Sequence, residues 1–283
     1  MKVTELAPAK LNLTLDVGEK HHDGYHDVIS VMTSASLYDT LTLESDKGSG
    51  IPLTCSDPTR ACDESNLVYR AAQLFFDHSG ITCDGVSIHL EKQIPMQAGL
   101  GGGSSDAAAV LRGLRRLYAP DMTLRELERV SIQLGSDVPY CICNETTLVT
   151  GRGEQLRKIA PMPACWYVLC QPDEAYSTAA MYRLIDDTQP QCDIDTEAML
   201  TALEEKDLAK IAAGIANIFE AVLPKGNQVL PIRAKLLELG ADAACMSGSG
   251  SAVFGLFTSE ATAAAACEAL KSQYPRTYLA QSV

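Results

Sequence analysis

The residues best suited to chemistry fall in one stretch, Ile94 to Leu114 (IPMQAGLGGGSSDAAAVLRGL), where glycines and serines run into a strongly helical segment. Gly99, Gly101, Gly102 and Gly103 permit backbone angles and close approaches closed to larger residues, and Ser104 and Ser105 add hydroxyls where the helix starts. Successive N–H groups in such a loop can point at a triphosphate. No GK[ST] follows, so the stretch is not a P-loop, and its GxGxxS spacing makes a poor dinucleotide fingerprint. A plain structural turn is the competing reading, and the helix start favours the anion.

Other candidates are spread along the chain. In PAKLNLTLDV (Pro8 to Val17), strand alternation puts Lys10 and Asn12 on one face, although such a lysine alone is more often a solvated edge residue. In LGSDVP (Leu134 to Pro139), Asp137 follows a glycine helix stop, the position of a turn residue, yet a carboxylate can also orient an alcohol and take its proton. Tyr25 and His26 in DGYHDVIS (Asp23 to Ser30) could offer a ring face and polar edge to a flat base. His21, His22, Asp23 and His26 also cluster, but without the spacing of a helical zinc motif; a surface hairpin loop competes, and no metal ligand is assigned. Ser247, Gly248, Ser249 and Gly250 form a glycine-rich turn in ACMSGSGSAVFGLF (Ala244 to Phe257).

Together these segments carry a resemblance. PxxAGLGGGSSDAAA (Pro95 to Ala109) resembles the second motif of the GHMP kinases, PAKLNLTLDV their first and ACMSGSGSAVFGLF their third, in the family's chain order. The resemblance implies ATP-dependent phosphorylation of the 2-hydroxyl of a cytidine-diphosphate-linked polyol, the methylerythritol compound of non-mevalonate isoprenoid precursor biosynthesis. It assigns Pro95, Ala98, Gly99, Leu100, Gly101, Gly102, Gly103, Ser104 and Ser105 to ATP, with Asn66 of NLVYRAA at the adenine pocket and Asp106 either supporting the phosphate-binding groups from behind or on the magnesium side. Lys10 and Asp137 become catalytic, the lysine keeping the aspartate ionised. Asn12, Tyr25 and His26 face the acceptor, as do Thr178 and Tyr182 of YSTAAMY, with Tyr25 and Tyr182 stacking on cytosine. Ser247 to Gly250 pack against the phosphate loop, and GRGE (Gly151 to Glu154) and NIFE (Asn217 to Glu220) are smaller echoes. Mg²⁺ is expected with the ATP, through the nucleotide. Asn144 and Glu145 stand where the family usually has Gly-Gly, and Arg115 where Asn is common. A GHMP kinase acting on homoserine, mevalonate or a sugar, and a nucleotide-binding regulator without catalysis, are the rival readings.

The elements that must position these residues are strands at Leu11 to Val17, Val28 to Ala35 and Thr40 to Glu44, with Gly18 to Tyr25 a hairpin loop turning at Asp23-Gly24. The pattern predicts a helix over Ser65 to Asp77, a strand over Val86 to Lys92, a helix from the glycine loop to Tyr118, and another from a Thr123/Glu126 capping box to near Gly135. Cys141 to Thr150 reads as a strand region, which would put Cys141 and Cys143 on one face. Trp166 to Cys170, Ala244 to Met246, Ala252 to Phe257 and the region near Thr277 read as strands. Helices are expected at Ser177 to Ile185, Thr196 to Glu205, Asp207 to Val222, Ile232 to Leu239 and after Ser259. Without strict βαβ alternation the fold class is α+β. The resemblance implies an N-terminal domain (1–158) like ribosomal S5 domain 2 and a ferredoxin-like C-terminal α+β domain (159–283).

Composition agrees with a globular protein: 283 residues, 46% hydrophobic and 21% charged. A net charge of −13 argues against nucleic acid and anionic membranes as partners; the resemblance implies a small-molecule substrate, and no obligate protein partner is inferred. Ten scattered cysteines without CxxC pairs read as buried reduced thiols. No apolar run of membrane-spanning length and no signal-like start is present, so the expected location is cytoplasmic.

Overall fold

The computed structural model describes residues 1–45, 48 and 50–283. In chain order the first elements are β1 (Lys2–Lys20), β2 (His26–Ser45), β3 (Leu53–Cys55), α1 (Leu67–Ser79), β4 (Val86–Glu91) and α2 (Gly102–Tyr118). There follow α3 (Leu124–Ser131), α4 (Val138–Cys143), β5 (Thr147–Thr150), β6 (Gln155–Lys158), β7 (Trp166–Cys170), α5 (Thr178–Thr188) and α6 (Thr196–Glu205). The chain continues through α7 (Leu208–Gly214), β8 (Ala216–Asn217), a 3₁₀ turn at Ile218–Val222, α8 (Val229–Glu238), β9 (Ala243–Met246), β10 (Val253–Phe257), α9 (Glu260–Lys271) and β11 (Thr277–Gln281).

The two strands expected at Val28 to Ala35 and Thr40 to Glu44 are one, β2, because no glycine or proline lies between them to stop it. Likewise β1 runs on to Lys20, and the loop shrinks to a turn closed by the His21 N–H on Tyr25 O at 2.7 Å, with Gly24 at φ 88°. The larger sheet has the order β3-β4-β2-β1-β8, with β5 on β2 and β6 on β5.

The chain packs as two compact units. One comprises Met1–Ala9, Tyr38–Ile94 and Gly101–Asn144. Here β4 pairs antiparallel with β2, Leu41 opposite Leu90 and Leu43 opposite Ile88, and all four side chains are buried. Asn66 caps α1 and left-handed Gly80 ends it, and α1 packs on α2. Only half of the expected capping box forms: Thr123 Oγ1 accepts the Glu126 N–H, whereas the Glu126 carboxylate turns to His78. The strand expected from Cys141 is wrong at its start. Val138–Cys143 is the helix α4, with Asp137 at its N-cap, proline in its first turn and Asn144 closing it in the left-handed region. Cys141 and Cys143 therefore do not share a strand face.

The other unit comprises Lys10–Leu37, Pro95–Leu100 and Glu145–Val283. Its four-stranded sheet, β11-β7-β10-β9, is antiparallel throughout. In chain order the strands stand 4-1-3-2, the ferredoxin-like arrangement. Val168, Cys170, Val253 and Phe257 of this sheet share a core with Met181, Ile185, Ile232, Leu236, Ala263 and Leu270 of the helices. The single helix expected over Asp207 to Val222 is instead α7, the short strand β8 and the 3₁₀ turn. Gly214 and β-branched Ile215 end the helix, and β8 joins β1 in parallel, Thr14 opposite Ala216.

Each of the ten cysteines is free; five are buried, and Cys62 and Cys192 are exposed, so the buried-thiol expectation holds for half of them. Among the described residues no helix is long and apolar enough to cross a membrane.

Candidate active site

Helix α2 begins earlier than a loop reading allows. Gly101, at φ 67°, is its N-cap, and Gly102 to Ser105 form its first turn. The first intrahelical bond runs from Ser105 N–H to Gly101 O at 2.8 Å, so the amides of Gly102, Gly103 and Ser104 precede the ladder. That turn carries no acidic residue, and a Cβ added at Gly103 would meet nothing within 4 Å. Open space before free amides at the positive end of a 17-residue helix suits an anion.

Behind this turn lies a charge cluster that sequence reading missed apart from Asp106. Lys92 binds Asp106 Oδ2 at 2.8 Å and also the Asp39 carboxylate, whose other oxygen takes the N–H groups of Gln93 and Ile94 at 2.5 and 2.8 Å. Burial pulls the lysine's pKa down, but the two carboxylates outweigh it and the net shift is upward. One buried cation thus serves two carboxylates, and burial pushes Asp106 up to about 8 despite Lys92. Ser105 Oγ and Asp106 Oδ1 are buried with no hydrogen-bond partner among the described residues. Their oxygen chemistry fits a hydrated magnesium ion or a nucleotide phosphate. A sign of the cluster was available: Asp39 has the parity of Leu37, Leu41 and Leu43, a carboxylate in an inward-facing row.

In the second unit the first motif, the start of the phosphate loop and the third motif converge. Lys10 is 5% exposed, and its Nζ donates to Asn12 Oδ1 at 2.7 Å. That same oxygen accepts the Gly248 N–H at 3.0 Å, while Asn12 Nδ2 donates to Ser30 Oγ at 2.8 Å. Backbone bonds tie the segment Pro95–Leu100 in place: Leu100 O accepts from Lys10, Ala98 O from Ala252, and Met96 O from the Gln171 side chain. Ser247 Oγ donates to Gly99 O at 3.0 Å. A Cβ on Gly248 would come within 2.9 Å of Lys10 Nζ. Asn217 holds this turn from behind, its Nδ2 donating to Met246 O at 2.7 Å and Gly248 O at 2.8 Å. That asparagine stood at the head of the NIFE echo with no role attached. Ser249 Oγ and Thr178 Oγ1 are 2.9 Å apart, and Gly250 approaches Met246 and Tyr176 too closely for a side chain.

Around the turn between β1 and β2, Tyr25 is 59% exposed, with the Arg152 guanidinium 5.2 Å from its ring centre; Arg152 also pairs with Asp23 at 2.5 Å. His26 is buried and stacks on Tyr182, centroids 5.0 Å apart. Tyr182 also meets Phe219 edge-on, with ring centroids 5.1 Å apart. His21 binds Asp27, whereas His26 binds Asp186, so these two histidines turn to different carboxylates. Among the described residues no three His, Cys, Asp or Glu side chains gather as a metal site.

Asp137, half-buried, stands at the N-cap position of α4 without capping it through its side chain. Asn66 uses its Oδ1 as the α1 cap and donates Nδ2 to Ala61 O at 2.7 Å, so the adenine-pocket side chain is engaged within its own segment. Asn144 occupies φ 54°, which accounts for a family glycine there and for asparagine as its tolerated replacement. Glu145 pairs with Lys158 at 2.7 Å, and Arg115 binds the carbonyls of Pro120 and Met122 at the far end of α2, away from the helix start.

An amide-lined helix start over buried charges, with two glycine-rich motifs and a lysine-bearing strand motif, is the equipment of a phosphotransferase of the GHMP class. Residues 66–145 match the GHMP kinases N terminal domain, and residues 199–276 match GHMP kinases C terminal. A 4-diphosphocytidyl-2-C-methyl-D-erythritol kinase of Macrococcus caseolyticus is 40% identical over 278 residues, 98% of each chain. One from Bacillus pumilus is 44% identical over 261 residues, 92% of this chain and 90% of that one. A crystal structure of 4-(cytidine 5'-diphospho)-2C-methyl-D-erythritol kinase superposes with a TM-score of 0.84 at 34% identity, covering 99% of both chains. The chain belongs to the 4-diphosphocytidyl-2-C-methyl-D-erythritol kinase family of GHMP kinases.

Proposed function

We propose that the protein transfers the γ-phosphoryl group of ATP to the 2-hydroxyl of 4-diphosphocytidyl-2-C-methyl-D-erythritol, in the cytoplasm, on the non-mevalonate route to isoprenoid precursors. The observation that carries the phosphotransfer is the helix start at Gly102 to Ser105: open at Gly103, lined by amides, and backed by two buried oxygens without partners among the described residues. The choice of acceptor follows the names of the relatives.

In this reading the amides at the start of α2 bind the triphosphate, Asn66 and its segment border the adenine, and the Ser247 to Gly250 turn holds Gly99 and Lys10 in place. Lys10 stabilises charge developing on the transferred group, and Asp137 orients the acceptor hydroxyl and takes its proton. Transfer is direct and in line, without a phospho-enzyme, so positioning and electrostatics supply most of the acceleration. Magnesium, when bound with the nucleotide, neutralises phosphate charge. Ser105 Oγ and Asp106 Oδ1 are the residues suited to hold the ion or its water. Tyr25, His26, Tyr182, Asn12 and Thr178 bind the acceptor, and the domain division falls at 158/159.

The test is an ATP-dependent assay on 4-diphosphocytidyl-2-C-methyl-D-erythritol beside mevalonate, homoserine and galactose. Strong preference for the cytidine compound is expected. Activity only on another alcohol removes the acceptor assignment but keeps the kinase; no turnover on any of them removes the reaction.

A further inference from the structure

His26 is held by a carboxylate that no motif marked. Its Nε2 lies 2.7 Å from Asp186 Oδ1, and its ring stacks at 28° on Tyr182. Tyr182 and Asp186 are one turn apart on α5, so a single helix face makes both contacts. The second oxygen, Oδ2, takes the Lys20 ammonium at 2.5 Å. Hydrogen bonds from Lys20 first and His26 second hold the Asp186 carboxyl below the usual aspartate range, so it acts as an acceptor only.

These contacts decide where the imidazole proton sits. A carboxylate can only accept, so the proton must be on Nε2. In the neutral ring Nδ1 then carries the lone pair, and no hydrogen bond to it is found among the described residues. This is the logic by which a neighbouring carboxylate fixes a histidine's tautomer and orientation.

We propose that Asp186 is a positioning residue that fixes His26 as the Nε2–H tautomer, so that Nδ1 accepts from the 4-amino group of cytosine and the site prefers cytidine to uridine. The inference rests on the acceptor assignment above. Cytosine presents an amino donor at position 4, where uracil presents a carbonyl. An acceptor at Nδ1 bonds the amine but sets lone pair against lone pair with the carbonyl, and a polar mismatch in a desolvated site discriminates more strongly than a missing methyl group. Without Asp186 the proton can occupy either nitrogen and the ring can turn, which removes the bias.

The decisive comparison is kcat/KM for the cytidine compound against its uridine counterpart, in wild type and Asp186→Ala. The ratio is expected to fall at least tenfold in the variant, with KM for ATP within twofold of wild type. An unchanged ratio in a variant that still turns over overturns the proposal. Independently, ¹⁵N spectra of the wild-type protein, with His26 assigned by comparison with His26→Gln, should show a protonated Nε2 and a bare Nδ1. A proton on Nδ1 overturns the proposal even if Asp186→Ala fails to fold. Failure of wild type to phosphorylate the cytidine compound would instead remove the acceptor assignment, while the spectrum would still report the tautomer.

Discussion

Gly99 and Ser247 meet backbone to backbone: a Cβ on Gly99 would lie 2.0 Å from the Ser247 carbonyl oxygen, and Gly99 itself is at φ 75°. Neither neighbour is a flexible side chain that could swing aside. Gly99→Ala is therefore expected to cost about 2–3 kcal/mol of stability and to raise KM for ATP, because the turn must separate from the loop. Chemical denaturation and steady-state kinetics check both effects; wild-type stability in the variant would contradict the contact.

Asp137 stands at the N-cap position of α4 without capping it through its side chain, and the proposed function makes it the base. Asp137→Asn keeps the shape and removes the base, so kcat should fall by roughly 10²–10⁴ while ATP affinity stays within about threefold. Single-turnover rates with calorimetric ATP titration separate the two. Full activity in the variant would remove the proposed role.

Asp106 should tie stability to pH in the opposite sense to a salt-bridged carboxylate. Burial raises it to about 8 from an unfolded value of 3.8. Between those values the unfolded chain releases a proton that the folded chain keeps, so this group's contribution to stability declines as pH rises and levels off above about 8. Asp106→Asn removes the titration and retains an oxygen for Lys92. The Tm of the variant relative to wild type should rise from near zero around pH 4 to a plateau above pH 8, and a flat difference would show that the proton is not held.

Asn144 sits at φ 54° where a glycine is strain-free. Asn144→Gly should leave stability within about 0.5 kcal/mol, whereas Asn144→Ala should lose about 1 kcal/mol, since alanine tolerates the left-handed region less well. Urea denaturation of both variants measures the contrast.

Local chemistry was legible where a short segment decides its own structure. Thr123 caps its helix as the capping-box spacing suggests, and the glycine run opens α2. Apolar runs were ambiguous: VPYCIC has the composition of a buried strand, and only Pro139 at its start marked a helix. Among partnerships between distant segments, that of the Ser247 to Gly250 turn with Gly99 was legible only through the family resemblance, and the charged ones were not legible. Asp186 is 160 positions from His26, and a half-exposed helical aspartate has no local feature that names a histidine. Lys92 was likewise read as a strand end, since its two carboxylates arrive from β2 and α2.

The bond from Gly248 to Asn12 joins residues 236 positions apart. At about 5–20 residues per second, a ribosome needs on the order of 12–50 seconds to make the later one after the earlier. Throughout that interval Lys10 and Asn12 exist without the turn that orders them. Under the roles proposed above, a nascent chain that has already made its glycine-rich helix still lacks an ordered Lys10, and catalytic competence arrives as a late event in synthesis.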